Sequence, residues 1–249
     1  MEKLNLNDVK EFVNKNICVF HNNKLKVLKS LKLRDVLKKK NPYLFRAKNI
    51  IVASDLIGSI LDAYLSSSEE KIFGDFLERL AIFISLKTCQ GRKSAATGID
   101  IEFMNKDTLY LVSVKSGPNW GNNAQQNKQQ QDLQTAVKVV KQNNHKLNVQ
   151  PVLGICYGKT RTTFLRGYMK VVGQNFWYLM SENENLYTDI IEPLGYRAKQ
   201  HNDAFVKQKG TVINSFTQEF MTKFCSNGTI NWKKLVELNS GNLDLNQKD

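Results

Sequence analysis

Residues 98–115 read Gly98-Ile99-Asp100-Ile101-Glu102-Phe103-Met104-Asn105-Lys106-Asp107-Thr108-Leu109-Tyr110-Leu111-Val112-Ser113-Val114-Lys115, and their rhythm departs from that of the chain on either side. Apolar and acidic residues alternate from 99 to 103, residues 105–107 carry turn chemistry, and residues 109–114 are strongly strand-forming. The stretch predicts a strand hairpin. Successive side chains of a strand point to opposite faces, so Leu109, Leu111, Ser113 and Lys115 share one face and Tyr110, Val112 and Val114 the other. Asp100 joins the face of Ser113 and Lys115 only if the loop holds an even number of residues, as a two-residue Lys106-Asp107 turn does. An odd loop would set Asp100 opposite Val112.

Outward from the hairpin, the patterns are helical before it and mixed after it. Two helices are expected at about 47–65 and 69–88, separated by Ser66, Ser67 and Ser68, with Ser68, Glu69 and Glu70 as a cap and acidic first turn. Phe73, Phe76, Leu77, Leu80 and Ile84 form the apolar stripe of the second, and Glu78 lies off that stripe. After the hairpin come a breaker-rich loop at 116–123, a helix at 125–142, a buried strand at 152–157, a strand at 168–172 and an aromatic helix around Phe176, Trp177 and Tyr178. Residues from about 186 read as helical, with a break at Pro193 and Gly195 and an end near 232–238. The order predicts an α/β fold: a mixed β-sheet core with a strand hairpin carrying the active site, flanked by N-terminal and C-terminal helices.

The 249 residues are 41% hydrophobic and 24% charged, a globular composition that excludes wholesale disorder. Charge is the anomaly: 36 Lys and Arg against 23 Asp and Glu leave +13, which points to a polyanionic partner, nucleic acid first. Residues 1–48 contribute +9 of this, with 13 Lys and Arg against four acids. Within them, residues 24–40 set Leu25, Leu28, Leu31 or Leu33, and Val36 at roughly helical spacing, with Lys26, Lys29, Lys32, Lys38, Lys39 and Lys40 around them, either a solvated helix face or an arm that tracks phosphates. We expect a basic N-terminal helical arm over 1–48, a domain that holds the hairpin and a C-terminal helical layer over 49–241, and a polar tail over 242–249. No signal-peptide block and no run of 18 apolar residues occurs, so no membrane association and a cytoplasmic location are expected. Cys18, Cys89, Cys156 and Cys225 lie 71, 67 and 69 residues apart, without the short ligand spacings of structural zinc, and read as small hydrophobes.

With no clustered histidine or cysteine, chemistry must fall to carboxylates and lysine. Asp100 and Glu102 occupy one face of the first strand, and Lys115 ends an apolar strand where an ammonium has little use unless an acid meets it. Carboxylates can hold Mg²⁺, which stabilises charge growing on a phosphate and acidifies a bound water, and a nearby lysine can attend that water. From spacing alone, a structural salt bridge would explain the same residues.

Residues 98–103 followed by Val112-Ser113-Val114-Lys115-Ser116-Gly117-Pro118-Asn119-Trp120-Gly121-Asn122 resemble the active-site hairpin of type II restriction endonucleases of the PD-(D/E)XK superfamily, and more narrowly the PmeII-like group. The resemblance extends over about 41–241 and leaves out the basic arm. It implies a Mg²⁺-dependent deoxyribonuclease cutting double-stranded DNA at a short sequence within a restriction-modification system. It also implies a homodimer and a cognate DNA methyltransferase as a separate protein. Residue by residue, Asp100 matches the first metal-binding aspartate, Lys115 the catalytic lysine, and Glu78 a helical acid that completes the metal site. Ser113 is a departure, standing where the pattern has Glu or Asp. The missing acid is then expected from Glu78, with Glu102 second and Asp132 a weaker third.

The loops beside the hairpin are the expected DNA contacts. Arg92, Lys93 and Ser94 form an expected phosphate clamp, while Asn119, Asn122, Gln125 and Lys128 follow the hairpin, and Lys159 and Arg161 lie in a later loop. Trp120 is expected to pack. Two rivals remain at this point: a repair or recombination nuclease of the same superfamily, and a catalytically inactive DNA-binding protein made credible by Ser113.

Overall fold

The structure, a computed structural model, describes residues 1–159 and 162–243. Its contacts divide the chain into two units, Met1–Phe20 with Phe73–Tyr196, and His21–Ile72 with Arg197–Asp249.

The first unit is built on a six-stranded sheet. In chain order its elements are the first part of helix α1 (Leu6–Ser30), the second part of helix α4 (Ala53–Cys89), strands β1 (Arg92–Lys93), β2 (Ile101–Asn105) and β3 (Thr108–Lys115), and helix α5 (Asn123–Asn143). Strands β4 (Asn148–Ile155), β5 (Thr163–Leu165) and β6 (Tyr168–Val172) follow, then helices α6 (Gln174–Ser181), α7 (Leu186–Asp189) and α8 (Ile191–Leu194). The spatial order is β1-β2-β3-β4-β6-β5, with β3, β4 and β6 mutually parallel and the remaining neighbours antiparallel. The mixed sheet expected from the sequence is therefore present.

Residues 111–114 of β3 are all buried because this central strand is covered on both faces. On one side Val112 and Val114 join Phe76, Leu80 and Ile84 of α4, Val13 and Ile17 of α1, and Phe176 and Trp177 of α6. On the other, Leu111 packs with Leu133 and Ala136 of α5, the helix that links the parallel strands β3 and β4.

The second unit is helical apart from a small hairpin. It contains helices α2 (Leu33–Lys38), α3 (Pro42–Ala47), α9 (Ala198–Phe224) and α10 (Trp232–Ser240), the remainders of α1 and α4, and the two-stranded β7 (Cys225–Ser226) and β8 (Thr229–Ile230). Phe216 and Phe220 of α9 pack with Leu56, Ile57 and Ile60 of α4 and with Val36 and Leu37 of α2. Nineteen of the 36 basic residues and ten of the 23 acids fall in this unit, so it carries +9 of the +13.

Several expectations are corrected. The two helices expected at 47–65 and 69–88 are one, α4, beginning at Ala53. The serines do not end it: the Ser67 hydroxyl donates to the Ala63 carbonyl at 3.2 Å, so the side chain is satisfied within the helix, and Ser66, Ser67 and Glu70 are simply its exposed face. Residues 24–40 are not one helix either, since the backbone turns extended at Lys32 between α1 and α2. The expected boundary at residue 48 falls inside the second unit. The observed divisions, at 20, 72 and 196, follow the core into which each part of α1 and α4 packs. The last six residues of the expected polar tail lie outside the described residues. Among the described residues no helix is long and apolar enough to cross a membrane.

Gly98 marks where the chain enters the hairpin. Its φ of +74° is left-handed, a Cβ there would overlap the Asp132 side chain, and its carbonyl accepts from Gln129 Nε2 at 3.0 Å. Gly98→Ala should cost ~1–3 kcal/mol through backbone strain and this overlap, read as a lower urea midpoint with an unchanged slope.

Candidate active site

The turn of the hairpin decides where the acids go. Asn105 pairs with Thr108, Met104 with Leu109 and Ile101 with Val112, so the loop is the two-residue Lys106-Asp107 turn. Lys106 takes a φ of 52°, the left-handed value that tight hairpin turns require at a central position. Continuing the register by one step brings Asp100 level with Ser113. Its carboxylate is held there: Oδ2 accepts the Val114 N–H at 2.6 Å and the Ser113 hydroxyl at 3.4 Å. The Asp100 N–H in turn donates to the Val112 carbonyl at 2.9 Å. Ser113 itself is fully buried.

Glu78 reaches the same region from α4. Its side chain is 28% exposed, and Lys93 Nζ lies 3.5 Å from Oε1. Burial raises its carboxyl above the usual range, the charge of Asp100 raises it further, and Lys93 acts in the opposite sense. The two carboxylates are thus close enough to repel. Nearby, burial pushes the Cys156 thiol far up, with Glu78 and Asp100 adding to the effect, so it is a packed thiol and not a nucleophile.

Lys115 ends β3 level with Ile155 of β4. The sequence argument demanded an acid for its ammonium, but the partner present is aromatic: Nζ lies 5.5 Å from the Trp120 ring centroid, a cation–π arrangement. Among the described residues Lys115 makes no ion pair. Trp120 packs on Leu153, Ile155 and Val172, as expected of it.

The remaining acids have other work. Glu102 accepts from Arg92 Nε at 2.6 Å and from the Ser94 hydroxyl at 3.0 Å. Asp132 lies against Gly98 and pairs with Lys128 at 3.4 Å. Among the described residues no group of three or more His, Cys, Asp or Glu is gathered closely enough to hold a metal, so the site has two carboxylates, Asp100 and Glu78, and no third.

The expected DNA contacts divide similarly. Arg92 and Lys93 form the edge strand β1 and, with Ser94, meet the acids Glu102 and Glu78, although both cations remain largely exposed. Asn122 and Gln125 form a reciprocal capping box at the start of α5, each side chain accepting the other's N–H at 3.0 Å. Asn119, Lys128 and Lys159 are exposed, and Arg161 lies outside the described residues.

Sequence reasoning missed two features beside the acids. The Val114 N–H is a backbone group without a side-chain signature. Cys156 was read only as a hydrophobe, without its place beside the acids. Tyr157 opens the later loop that the sequence already offered as a recognition candidate, and it packs on Gly117 two residues past Lys115.

The coupling between the acids is measurable. As pH rises from the ordinary carboxylate range through the raised value of Glu78, the folded state holds more protons than the unfolded one, so stability contributed at this position falls. Asp100→Asn should lower the Glu78 titration midpoint and Lys93→Ala should raise it, each followed by carboxyl carbon NMR. An unmoved midpoint in Asp100→Asn would show that burial alone sets it.

The family model described as Type II restriction endonuclease EcoO109I matches residues 7–202. No curated protein matches the chain. The match includes the hairpin, Glu78 and the whole sheet. It also takes in most of residues 1–48, which the sequence resemblance had left out, and stops well short of residue 241. Since it spans far more than half of the chain, the chain belongs to the EcoO109I family of type II restriction endonucleases, enzymes that cleave DNA.

Proposed function

We propose that this restriction enzyme is a Mg²⁺-dependent, site-specific deoxyribonuclease of the PD-(D/E)XK kind, with Asp100 and Glu78 as its metal-binding acids and Lys115 as its catalytic lysine. The observation that carries this reading is the pair of carboxylates. Asp100, fixed by the Val114 N–H, and Glu78, raised in part by the Asp100 charge, repel each other. A divalent cation between them would relieve that repulsion. Two acids suit Mg²⁺, which is usually held by one or two carboxylates together with waters and substrate phosphates. Both Asp100 hydrogen bonds fall on Oδ2.

Bound there, Mg²⁺ would supply Lewis acidity toward the phosphate and an acidified water. The chain's own residues do the rest. The Val114 N–H and Ser113 hydroxyl orient Asp100, while Lys93 offsets part of the negative charge around Glu78. Lys115, steadied against Trp120, attends the attacking water and neutralises charge developing on the phosphate. The products are a 5′-phosphate and a 3′-hydroxyl.

Glu102 is the second choice as a ligand, since leaving Arg92 and Ser94 would cost it two contacts. The loop from Ser116 to Asn122 supports the narrower PmeII-like placement. Action at a short palindromic sequence favours a homodimer, and a restriction-modification system calls for a separate methyltransferase.

DNA contact is proposed for Arg92, Lys93, Ser94, Asn119, Asn122, Gln125, Lys128, Lys159 and Arg161, and for the exposed lysines of residues 24–40. In that stretch Lys26, Lys29, Lys32, Lys38 and Lys39 are exposed. Lys24 instead pairs with Glu69 at 3.1 Å and sits over the Phe205 ring, and Lys40 donates to the Ala63 carbonyl at 2.7 Å.

Plasmid digestion with Mg²⁺ tests the site: Asp100→Ala, Glu78→Gln and Lys115→Ala should each lose at least a hundredfold in rate. Either Asp100→Ala or Lys115→Ala cutting at the wild-type rate would overturn the assignment. Binding without cleavage by the unaltered chain under every divalent ion would instead select a DNA-binding protein that has lost catalysis. Replacing Lys26, Lys29, Lys32 and Lys38 by Gln should weaken binding to all sequences and reduce its salt dependence, with the cut position unchanged. An altered cut position would make this segment a reader of sequence.

A further inference from the structure

Tyr157 is the second residue past β4, and two features fix its phenol. Backbone bonds tie the bend after β4 to the loop after β3: Cys156 N–H donates to the Lys115 carbonyl at 2.9 Å, and Tyr157 N–H to the Ser116 carbonyl at 3.3 Å. Lys115 is level with Ile155, the last residue of β4, so Tyr157 follows it by two residues in the bend that leaves the strand and runs beside the loop after Lys115. The second feature is Gly117. This glycine is buried, and a Cβ on it would fall on Cζ and Oη of Tyr157. The loop leaving Lys115 therefore has hydrogen in place of a side chain at the point where the phenol lies on it. Tyr157 is nevertheless 52% exposed, with the exposed Lys159 two residues on.

A large aromatic residue half in solvent contributes little to a core. Here its ring is backed by the loop that leaves the proposed catalytic lysine, and its polar end lies where that loop passes. Tyrosine hydroxyls are common donors to phosphate oxygens in protein–DNA complexes. We propose that Tyr157 contacts substrate: its hydroxyl donates to a non-bridging phosphate oxygen next to the scissile bond, and Gly117 provides the space that lets it do so. The proposal rests on the reading of Asp100 and Lys115 as the active site.

Single-turnover cleavage of a duplex containing the mapped cut site, with Mg²⁺ and the full chain, tests it. Tyr157→Phe keeps the ring on Gly117 and removes only the hydroxyl. It should slow cleavage about tenfold with an unchanged unfolding midpoint, as expected for a lost hydrogen bond to a charged group. Gly117→Ala displaces the ring and should slow cleavage similarly, and the double variant should be no slower than the slower single one. A methylphosphonate at one phosphate flanking the cut should slow the unaltered enzyme yet leave Tyr157→Phe without further loss. Tyr157→Phe cutting at the wild-type rate would overturn the proposal, as would losses that multiply in the double variant. Lys115→Ala separates the two readings. If it retains the wild-type rate the hairpin assignment falls and this proposal with it, whereas an inactive Lys115→Ala beside a fully active Tyr157→Phe overturns the role of the phenol alone.

Discussion

The Val114 N–H bond to Asp100 Oδ2, at 2.6 Å, exists only because β2 and β3 meet in one register. The two-residue turn sets that register, and the packing enforces it. Ile101 and Phe103 of β2 and Val112 and Val114 of β3 belong to one core with α4 and α6. A slip of one residue would turn these four side chains away from that core and replace them with Glu102 and Ser113. The hydrophobic contacts that stabilise the unit are thus the same ones that hold an acid at the end of β2. The parallel neighbour β4 extends the constraint, placing Cys156 and Tyr157 beside the residues that follow Lys115.

Charge is arranged on a different plan. The second unit holds +9 of the +13, while the acids of the candidate site lie in the first. In the first unit cations near the acids are already matched to them, Arg92 to Glu102 and Lys93 to Glu78. Lys115 is the exception, resting on an aromatic face. Among the described residues its ammonium meets the Trp120 ring and forms no ion pair with a carboxylate.

The hairpin was legible because strand alternation and turn chemistry are local, and its parity argument reduced the geometry to a single question about loop length. The strand at 168–172 and the aromatic helix after it were legible for the same reason. The serines at 66–68 misled because a capping pattern and an exposed helix face use the same residue types, and only tertiary packing distinguishes them. The division into units was hidden because α1 and α4 each contribute to both, so no composition change marks it. At the candidate site, Asp100, Glu78 and Lys115 were proposed through the resemblance, whereas the Trp120 partner of Lys115 and the capping roles of Asn122 and Gln125 had no signal in the sequence. Those depend on which backbone groups need a partner, and a sequence does not state that.

Ser113 gains a physical reason from its surroundings. The position is fully buried in the central strand, with its hydroxyl directed at Asp100. A glutamate there would bring a second charge out of water and set it beside the first, paying desolvation and repulsion together. An acid delivered from α4 avoids part of this cost, because the Glu78 side chain keeps 28% exposure and Lys93 stands within 3.5 Å of it. The serine also does what a carboxylate could not, donating a hydrogen bond to Asp100. Moving the second acid from strand to helix therefore exchanges a costly buried pair for one that is partly solvated and partly compensated. The charge of Asp100 still raises the Glu78 carboxyl, and Lys93 acts against it.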